Sequence, residues 1–328
     1  MSYTILDIAQ HAGVSKSTVS RYIKGERDKV SAKTQARIAK VIKELDYRPN
    51  QIAVGLARRQ LPQIGVVMSD ISNPFSSVAM KGIFDACVER GQAASFALSD
   101  GNSLREQECV KNFMSFNIDR LVIHTCGHND DFLSTLDPEK TVVIDRSIRD
   151  NRFVTVTSDN YESTFNAIRH LQGNGCSPVV FVSPDIDGIA TRALRYRGYV
   201  DALSGEQEPM LVSYSSTKNM EAKLTELFSS RHPKGVFTVN GEASKAFLRF
   251  AKKHELRVGE DVGVVTFEDW DWTELVSPTI TAVRQDSYQM GYIAASTLLD
   301  GGLSNDNAPD NVKTIRSELI VRQSSRLR

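Results

Sequence analysis

The chain has 328 residues, of which 41% are hydrophobic and 24% charged, and its formal net charge is zero. This is the make-up of a globular protein with two or three cores, and no segment is of low complexity. No apolar run reaches the ~18 residues of a membrane span, and the opening MSYTILDIAQHAG has no basic stretch leading into an apolar core, so neither a membrane protein nor a signal peptide is expected.

The four cysteines (Cys87, Cys109, Cys126, Cys176) form no C-x-x-C pair, which suits reduced thiols in the cytoplasm. The zero net charge hides a division. Residues 1–60 hold 12 Lys+Arg against 5 Asp+Glu, while the remainder holds 28 against 35. A basic head on an acidic body points to a polyanionic partner for the head.

Ile5, Ile8, Ala9 and Ala12 recur at helical spacing, with Thr4 as N-cap and Gly13 as the stop. Ser15 caps a second predicted helix to about Ile23, whose inner face is Val19, Tyr22 and Ile23. Ser31 caps a third, with an apolar stripe of Ile38, Val41, Ile42 and Leu45, and Pro49 breaks it. Two short helices joined at Gly13 form a helix-turn-helix pattern, whose second helix enters the major groove N-terminus first. Its outward residues are Lys16, Ser17, Thr18, Ser20 and Arg21, and with Ser15 they offer short donors, acceptors and cations to bases and phosphates. A plain surface helix would more often carry Glu–Lys pairs; this one has no acid before Glu26.

Asn50 can cap a further short helix containing Ile52, Ala53, Leu56 and Ala57. A helix this short is marginal unless it packs on a second copy or on DNA. Small Ala53 three residues before large Leu56 suits a minor-groove wedge, and an ordinary linker is the alternative.

The run TILDIAQHAGVSKSTVSRYIKG…VSAKTQARIAKVIKELDYRPNQIAVGLARRQ resembles the headpiece and hinge of the lactose/purine repressor (LacI/GalR-type) family of bacterial transcription regulators. The resemblance implies a homodimer on a pseudo-palindromic double-stranded DNA operator. It implies that Lys16 and Ser17 read bases and that Thr18 and Arg21 contact base or backbone. It also implies that Asn50 and Gln51 anchor the hinge and that Leu56 wedges into the central base step.

Residues 61–328 alternate β-rich runs (64–69, 119–125, 141–145, 178–183, 235–240, 262–268) with helical ones (74–91, 103–117, 161–175, 242–256, 287–302). Near-continuous Val/Ile runs suit strands buried on both faces, and the alternation predicts doubly wound α/β sheets. Ligands collect outside the carboxyl ends of such strands. There the sequence places Asp70, Asn73, Phe75, His124, Cys126, Asp145, Arg146, Asp159, Asn160, Asn240, Glu268, Asp269, Trp270, Asp271 and Trp272. Carboxylates, amides and indoles suit a small polyhydroxylated ligand, and Arg146 and Arg195 could grip an acidic group.

Weaker likeness to the same family continues through SDISNPF, IDR, SDN, RALRYRGY, FEDWDW and SPTITAVRQDSYQMG. It implies a periplasmic-binding-protein-like body of two α/β subdomains, crossed three times near residues 157, 285 and 312, with a sugar or sugar-acid effector between them. By that likeness Phe75, His124, Arg146, Thr191, Arg195, Asn240 and Glu268 face the effector. Asn73, Asp159, Asp269 and Trp270 complete the candidate set. Gly241 stands where the family usually has aspartate, and TFED replaces the commoner Gly-Phe-Asp-Asp.

The resulting division is a headpiece at 1–48, a hinge at 49–61 and a body at 62–328. Within the body one subdomain takes about 62–157 and 286–312, the other about 158–285 and 313–328. No phosphate loop, dinucleotide fingerprint, H-E-x-x-H or G-x-S-x-G motif occurs, so no enzyme and no cofactor are expected. His124, Cys126 and His128 are spaced two apart but lack an evident fourth metal ligand. The expectation is a cytoplasmic repressor of carbohydrate use. An acidic effector of keto-gluconate type is preferred, and dimer or tetramer is left open. The alternatives are a carbohydrate-active enzyme, or a sugar-binding module whose head contacts protein.

Overall fold

The structure, a computed structural model, describes residues 3–23, 25–47, 63–301 and 311–327. It forms two units divided between residues 62 and 63.

Among the described residues the first unit holds three α-helices, Ile5–Ala12, Lys16–Ile23 and Ala32–Glu44. Thr4 and Asp7 close a reciprocal cap on the first: Asp7 N donates to Thr4 Oγ1 at 3.3 Å, and Thr4 N donates to the Asp7 carboxylate at 2.6 Å. Gly13, at φ 59°, ends that helix in the left-handed region that glycine tolerates. Ser15 Oγ accepts from Thr18 N at 3.2 Å, and Ser31 Oγ from Thr34 N at 3.3 Å, so each later helix also starts on a serine. Ile8, Ala9, Ala12, Val19, Ile38 and Val41 form the buried core, with Tyr22, Ile23, Ile42 and Leu45 packed at its edge.

In the second unit, strands β1 (Gln63–Met68), β2 (Ala93–Leu98), β3 (Leu121–Ile123), β4 (Thr141–Ile144), β5 (Val154–Ser158) and β11 (Val312–Ile315) make one sheet, in the order β11-β5-β4-β3-β1-β2. All of its pairings are parallel. Strands β6 (Val179–Pro184), β7 (Met210–Tyr214), β8 (Gly235–Thr238), β9 (Gly263–Phe267), β10 (Thr281–Arg284) and β12 (Glu318–Ile320) make the other, in the order β12-β10-β9-β8-β6-β7. Only β12 of these runs antiparallel to its neighbour. Along β1, Val66 enters one apolar core and Val67 the other; along β6, Phe181 and Val182 divide the same way. The unbroken apolar runs of the sequence are therefore the two faces of double-sided sheets.

The chain crosses between sheets after Ser158, between Arg284 and Ser287, and between Ile315 and Glu318. The third crossing expected near 312 is thus displaced to 316–317, because β11 pairs with β5 of the first sheet before the chain leaves. The crossings are tied to one another. Ser158 Oγ donates to Gln285 Oε1 at 3.2 Å, and Ser317 N donates to Asp159 Oδ1 at 2.9 Å.

Helices Pro74–Glu89 and Ser287–Leu299 approach so closely that backbone touches backbone. A Cβ on Gly291 would stand 2.0 Å from the Ala79 carbonyl oxygen, and one on Gly82 would stand 2.1 Å from that of Tyr288. Small residues at this crossing let segments more than 200 positions apart share one core. Gly291→Ala is expected to destabilise the protein by about 3 kcal/mol, because the helices must separate. Urea unfolding measures this, and an unchanged midpoint would contradict the packing.

Candidate functional site

The second helix of the headpiece presents Lys16, Ser17 and Arg21 to solvent, with Thr18 and Ser20 partly exposed, while Val19 is fully buried. The hydroxyls are organised before any ligand arrives: Ser15 Oγ lies 2.8 Å from both Ser17 Oγ and Thr18 Oγ1. Arg37 of the third helix donates to the Gly13 carbonyl at 3.2 Å and holds the turn. The helix therefore offers its N-terminal turn, two cations and a hydroxyl cluster on one solvent-facing side, which suits a groove of DNA. Asn50, Gln51, Ala53 and Leu56 lie outside the described residues.

In the body, a cleft runs between the two lobes. The first lobe lines it with Asn73, Phe75, His124, Asp145 and Arg146, the second with Ile189, Thr191, Arg192, Arg195, Val239, Asn240 and Glu268. Three helix starts meet there. Asn73 caps helix 74–89 by accepting from Phe75 N at 2.9 Å, Asn240 caps helix 241–253 by accepting from Ala243 N at 2.9 Å, and Thr191 lies in the first turn of helix 190–202. Helix starts carry partial positive charge and favour an anion.

Arg195 is buried. Its Nε donates to Asn160 Oδ1 and its Nη1 to the Val239 carbonyl, both at 2.7 Å, and its guanidinium lies 3.5 Å over the Phe267 ring. Burial holds the Arg195 pKa below the usual arginine value, against the pull of Asp145 and Glu268. Arg192 donates to the Asp185 carbonyl at 2.6 Å; burial, then the nearby charges of Arg146 and Arg195, push its pKa down to about 10. Arg146 Nη1 donates to the Thr125 carbonyl at 2.9 Å. Three guanidiniums thus crowd one small space, and an anion among them would relieve their mutual repulsion.

Opposite them, His124 Nδ1 lies 3.0 Å from Ser69 Oγ, and its Nε2 lies 3.4 Å from the Asp145 carboxylate. Burial, then Arg146, hold His124 below the usual histidine range. Burial pushes the Asp145 carboxyl up, but His124, Arg195 and Arg146 together bring it below the usual carboxylate range. His124 Nε2 and Asp145 Oδ1 are buried with no hydrogen-bond partner among the described residues, and both residues line the cleft. Such orphaned groups are costly unless a ligand meets them. Glu268 Oε2 accepts from Gly241 N and from Trp270 Nε1, each at 3.0 Å, yet burial still raises its pKa.

Eight of the residues expected at the effector site line this cleft: Asn73, Phe75, His124, Arg146, Thr191, Arg195, Asn240 and Glu268. Three do not. Asp159 belongs to the lobe crossing, where its carboxylate accepts from Ser317 N and Ser163 Oγ. Asp269 is claimed by Arg322 and Arg284, its carboxylate oxygens lying 2.7 Å from each. Trp270 stands behind Glu268 and packs against the core of the first lobe. Arg192, Ile189 and Val239 were not foreseen. Arg192 lies one helical turn before Arg195, a spacing that puts both on one face. Gly241 also has a physical reason. A Cβ there would come within 3.2 Å of the Trp270 ring and 3.3 Å of the Glu268 carboxylate, so an aspartate would crowd the indole and repel the acid. Among the described residues no group of three or more His, Cys, Asp or Glu could hold a metal, and no helix is long and apolar enough to cross a membrane.

Comparison with known proteins agrees with this arrangement. Residues 4–50 match the model for bacterial regulatory proteins of the lacI family, and residues 168–325 match a periplasmic binding protein-like domain. The chain is 32% identical to the HTH-type transcriptional regulator KdgR of Bacillus subtilis, over 98% of this chain and 97% of that one. It is 33% identical to the HTH-type transcriptional regulator PtxS of Pseudomonas aeruginosa, over 98% and 95%. The fold matches a lac repressor dimer bound to operator and the anti-inducer ONPF, with a TM-score of 0.85 at 20% identity, covering 99% of this chain and all of that one. It also matches a complex of the transcriptional regulator CelR with cellobiose, with a TM-score of 0.69 at 24% identity over 98% and 99%. With a helix-turn-helix headpiece and a two-lobed α/β body, the chain belongs to the lacI family of bacterial regulatory proteins and is a DNA-binding transcription regulator.

Proposed function

We propose that this regulator is a cytoplasmic, homodimeric repressor of a carbohydrate-use operon, released from its operator by a small sugar acid of keto-gluconate type bound in the cleft. The observation that carries the ligand class is the crowding of Arg146, Arg192 and Arg195 in a cleft whose own lining holds two carboxylates, Asp145 and Glu268, with Asp70, Asp185 and Asp187 in the adjoining groove that shares Arg146 and Arg192. A ligand carboxylate takes the guanidiniums, and its hydroxyls take Asp145, Glu268, Asn240, Asn73 and the His124 ring. Phe75 supplies an apolar face for the C–H side of the ligand. The cleft is read as a binding site rather than a catalytic one, in keeping with relatives named as regulators. A neutral sugar is the second reading, favoured by the cellobiose complex of a regulator with this fold.

On DNA, Lys16 and Ser17 meet base edges, while Ser15, Thr18, Ser20 and Arg21 meet bases or phosphates. Asn50 and Gln51 anchor the hinge, and Ala53 and Leu56 enter the minor groove. Effector and operator affinities are linked: a ligand that prefers one lobe arrangement must shift the equilibrium with DNA by the same factor.

Operator binding followed by fluorescence anisotropy, with and without a panel of sugars and sugar acids, tests this proposal. A sugar acid should weaken operator affinity at least about tenfold. Indifference to the whole panel would sink the allosteric reading. In the same assay Leu56→Ala should weaken operator binding more than binding to random DNA, and equal losses would remove the wedge.

The buried Glu268 carboxylate gives a second prediction. Its raised pKa means that the folded state resists the charge, so stability rises as pH falls through that raised value. Glu268→Gln should therefore make the unliganded protein more stable than wild type at pH 7. The gain should shrink as pH falls and wild type becomes protonated, and the variant should bind effector more weakly than wild type. Thermal unfolding across pH reads this, and a variant less stable than wild type at pH 7 would show that the carboxylate charge holds the lobes together.

A further inference from the structure

Behind the cleft wall, helix 103–115 buries a carboxylate completely: Glu106 is 0% exposed. A buried charge is costly unless its lone pairs are bonded. All its partners lie in one segment of the next strand–loop connection. Oε1 accepts from Thr125 Oγ1 at 3.1 Å and from Asn129 Nδ2 at 2.9 Å, and Oε2 accepts from Cys126 N at 2.6 Å. The same helix holds Asn129 twice more, through the Ser103 carbonyl and the Gln107 side chain.

That segment touches the cleft at Arg146 and is braced within itself. The Thr125 carbonyl accepts from Arg146 Nη1 at 2.9 Å, and the Thr125 hydroxyl accepts from Gly127 N at 3.1 Å while donating to Glu106. A few atoms on, the segment meets the other lobe without room for a side chain. A Cβ on Gly127 would lie 2.5 Å from the Gly188 carbonyl oxygen, and one on Gly188 would fall 2.1 Å from the His128 ring.

We propose that Glu106 is a positioning residue for effector binding: by fixing residues 125–129 it sets where Arg146 presents its guanidinium and seats the lip on which the two lobes meet. The inference rests on reading the cleft as the effector site. Three N–H or O–H donors converge on Glu106, so only an ionised carboxylate satisfies them; a glutamine must turn its amide N–H toward at least one donor. The mispaired segment then shifts, and the Thr125 carbonyl no longer aims Arg146.

Calorimetric titration of the full-length protein with 2-keto-gluconate, and with glucose as neutral counterpart, tests this in wild type, Glu106→Gln, Arg146→Lys and the double variant. Glu106→Gln should weaken 2-keto-gluconate binding about tenfold, with operator affinity in the absence of sugar unchanged. The double variant should bind about as weakly as Arg146→Lys alone, because both changes break one chain of bonds. Losses that multiply in the double variant would overturn the proposal, as would an unchanged affinity in Glu106→Gln. If Glu106→Gln does not fold, Thr125→Val removes the same link more gently and should act in the same direction. If wild type prefers glucose, the acid reading falls and the cycle run on glucose decides the positioning role. If wild type binds neither sugar, the effector reading falls, and the positioning role, which rests on it, falls with it.

Discussion

Arg195 is the constraint around which the body is arranged. A guanidinium cannot be neutralised cheaply, so a buried one must be met by acceptors and counter-charges. Asn160 and the Val239 carbonyl take two of its N–H groups, Phe267 takes its face, and Asp145 and Glu268 balance its charge. Asp145 comes from the first lobe, whereas Arg195 and Glu268 come from the second. The electrostatic balance of the cleft is therefore shared between the lobes, and a change in their separation changes the energy of charges already out of water.

That sharing makes the cleft a place where a ligand can act on conformation. The three crossings between lobes are bonded to one another through Ser158, Gln285, Asp159 and Ser317. Asp269, next to Glu268, is bonded to Arg284 at the second crossing and to Arg322 just beyond the third. Residues that line the cleft are thus within one or two hydrogen bonds of residues at which the chain changes lobe. A ligand that prefers one arrangement has a short physical route to bias the other.

Much of this was legible in the sequence, for identifiable reasons. Thr4, Gly13, Ser15 and Ser31 mark helix ends through local hydrogen bonds and glycine's conformational freedom, both of which depend on neighbours a few residues away. The apolar runs gave β1, β3, β4, β6, β8 and β9, but not the interior strands β5 and β10, whose short sequences VTVTS and TAVR contain threonine. The outer strands β2 and β7 were harder to find, because an edge strand buried on fewer sides carries no continuous apolar run: β2 reads AASFAL and is only partly buried. Position at a strand end located most of the cleft but could not tell which side chains face it. Asp269 and Trp270 sit beside Glu268 in sequence, yet partners more than a dozen residues away draw Asp269 off, and the indole turns behind its neighbour. Glu106 gave no local signal at all, since an acid four residues into a helix normally reads as a solvated first-turn charge.

The central claim is that the cleft selects a carboxylate-bearing polyol because its lining brings three arginines together against two acids. Calorimetric comparison of 2-keto-gluconate with glucose, on the wild-type protein at one pH and ionic strength, tests it most directly. The account predicts that the acid binds at least about tenfold tighter, a difference of about 1.4 kcal/mol. Equal affinities, or tighter binding of glucose, would contradict it.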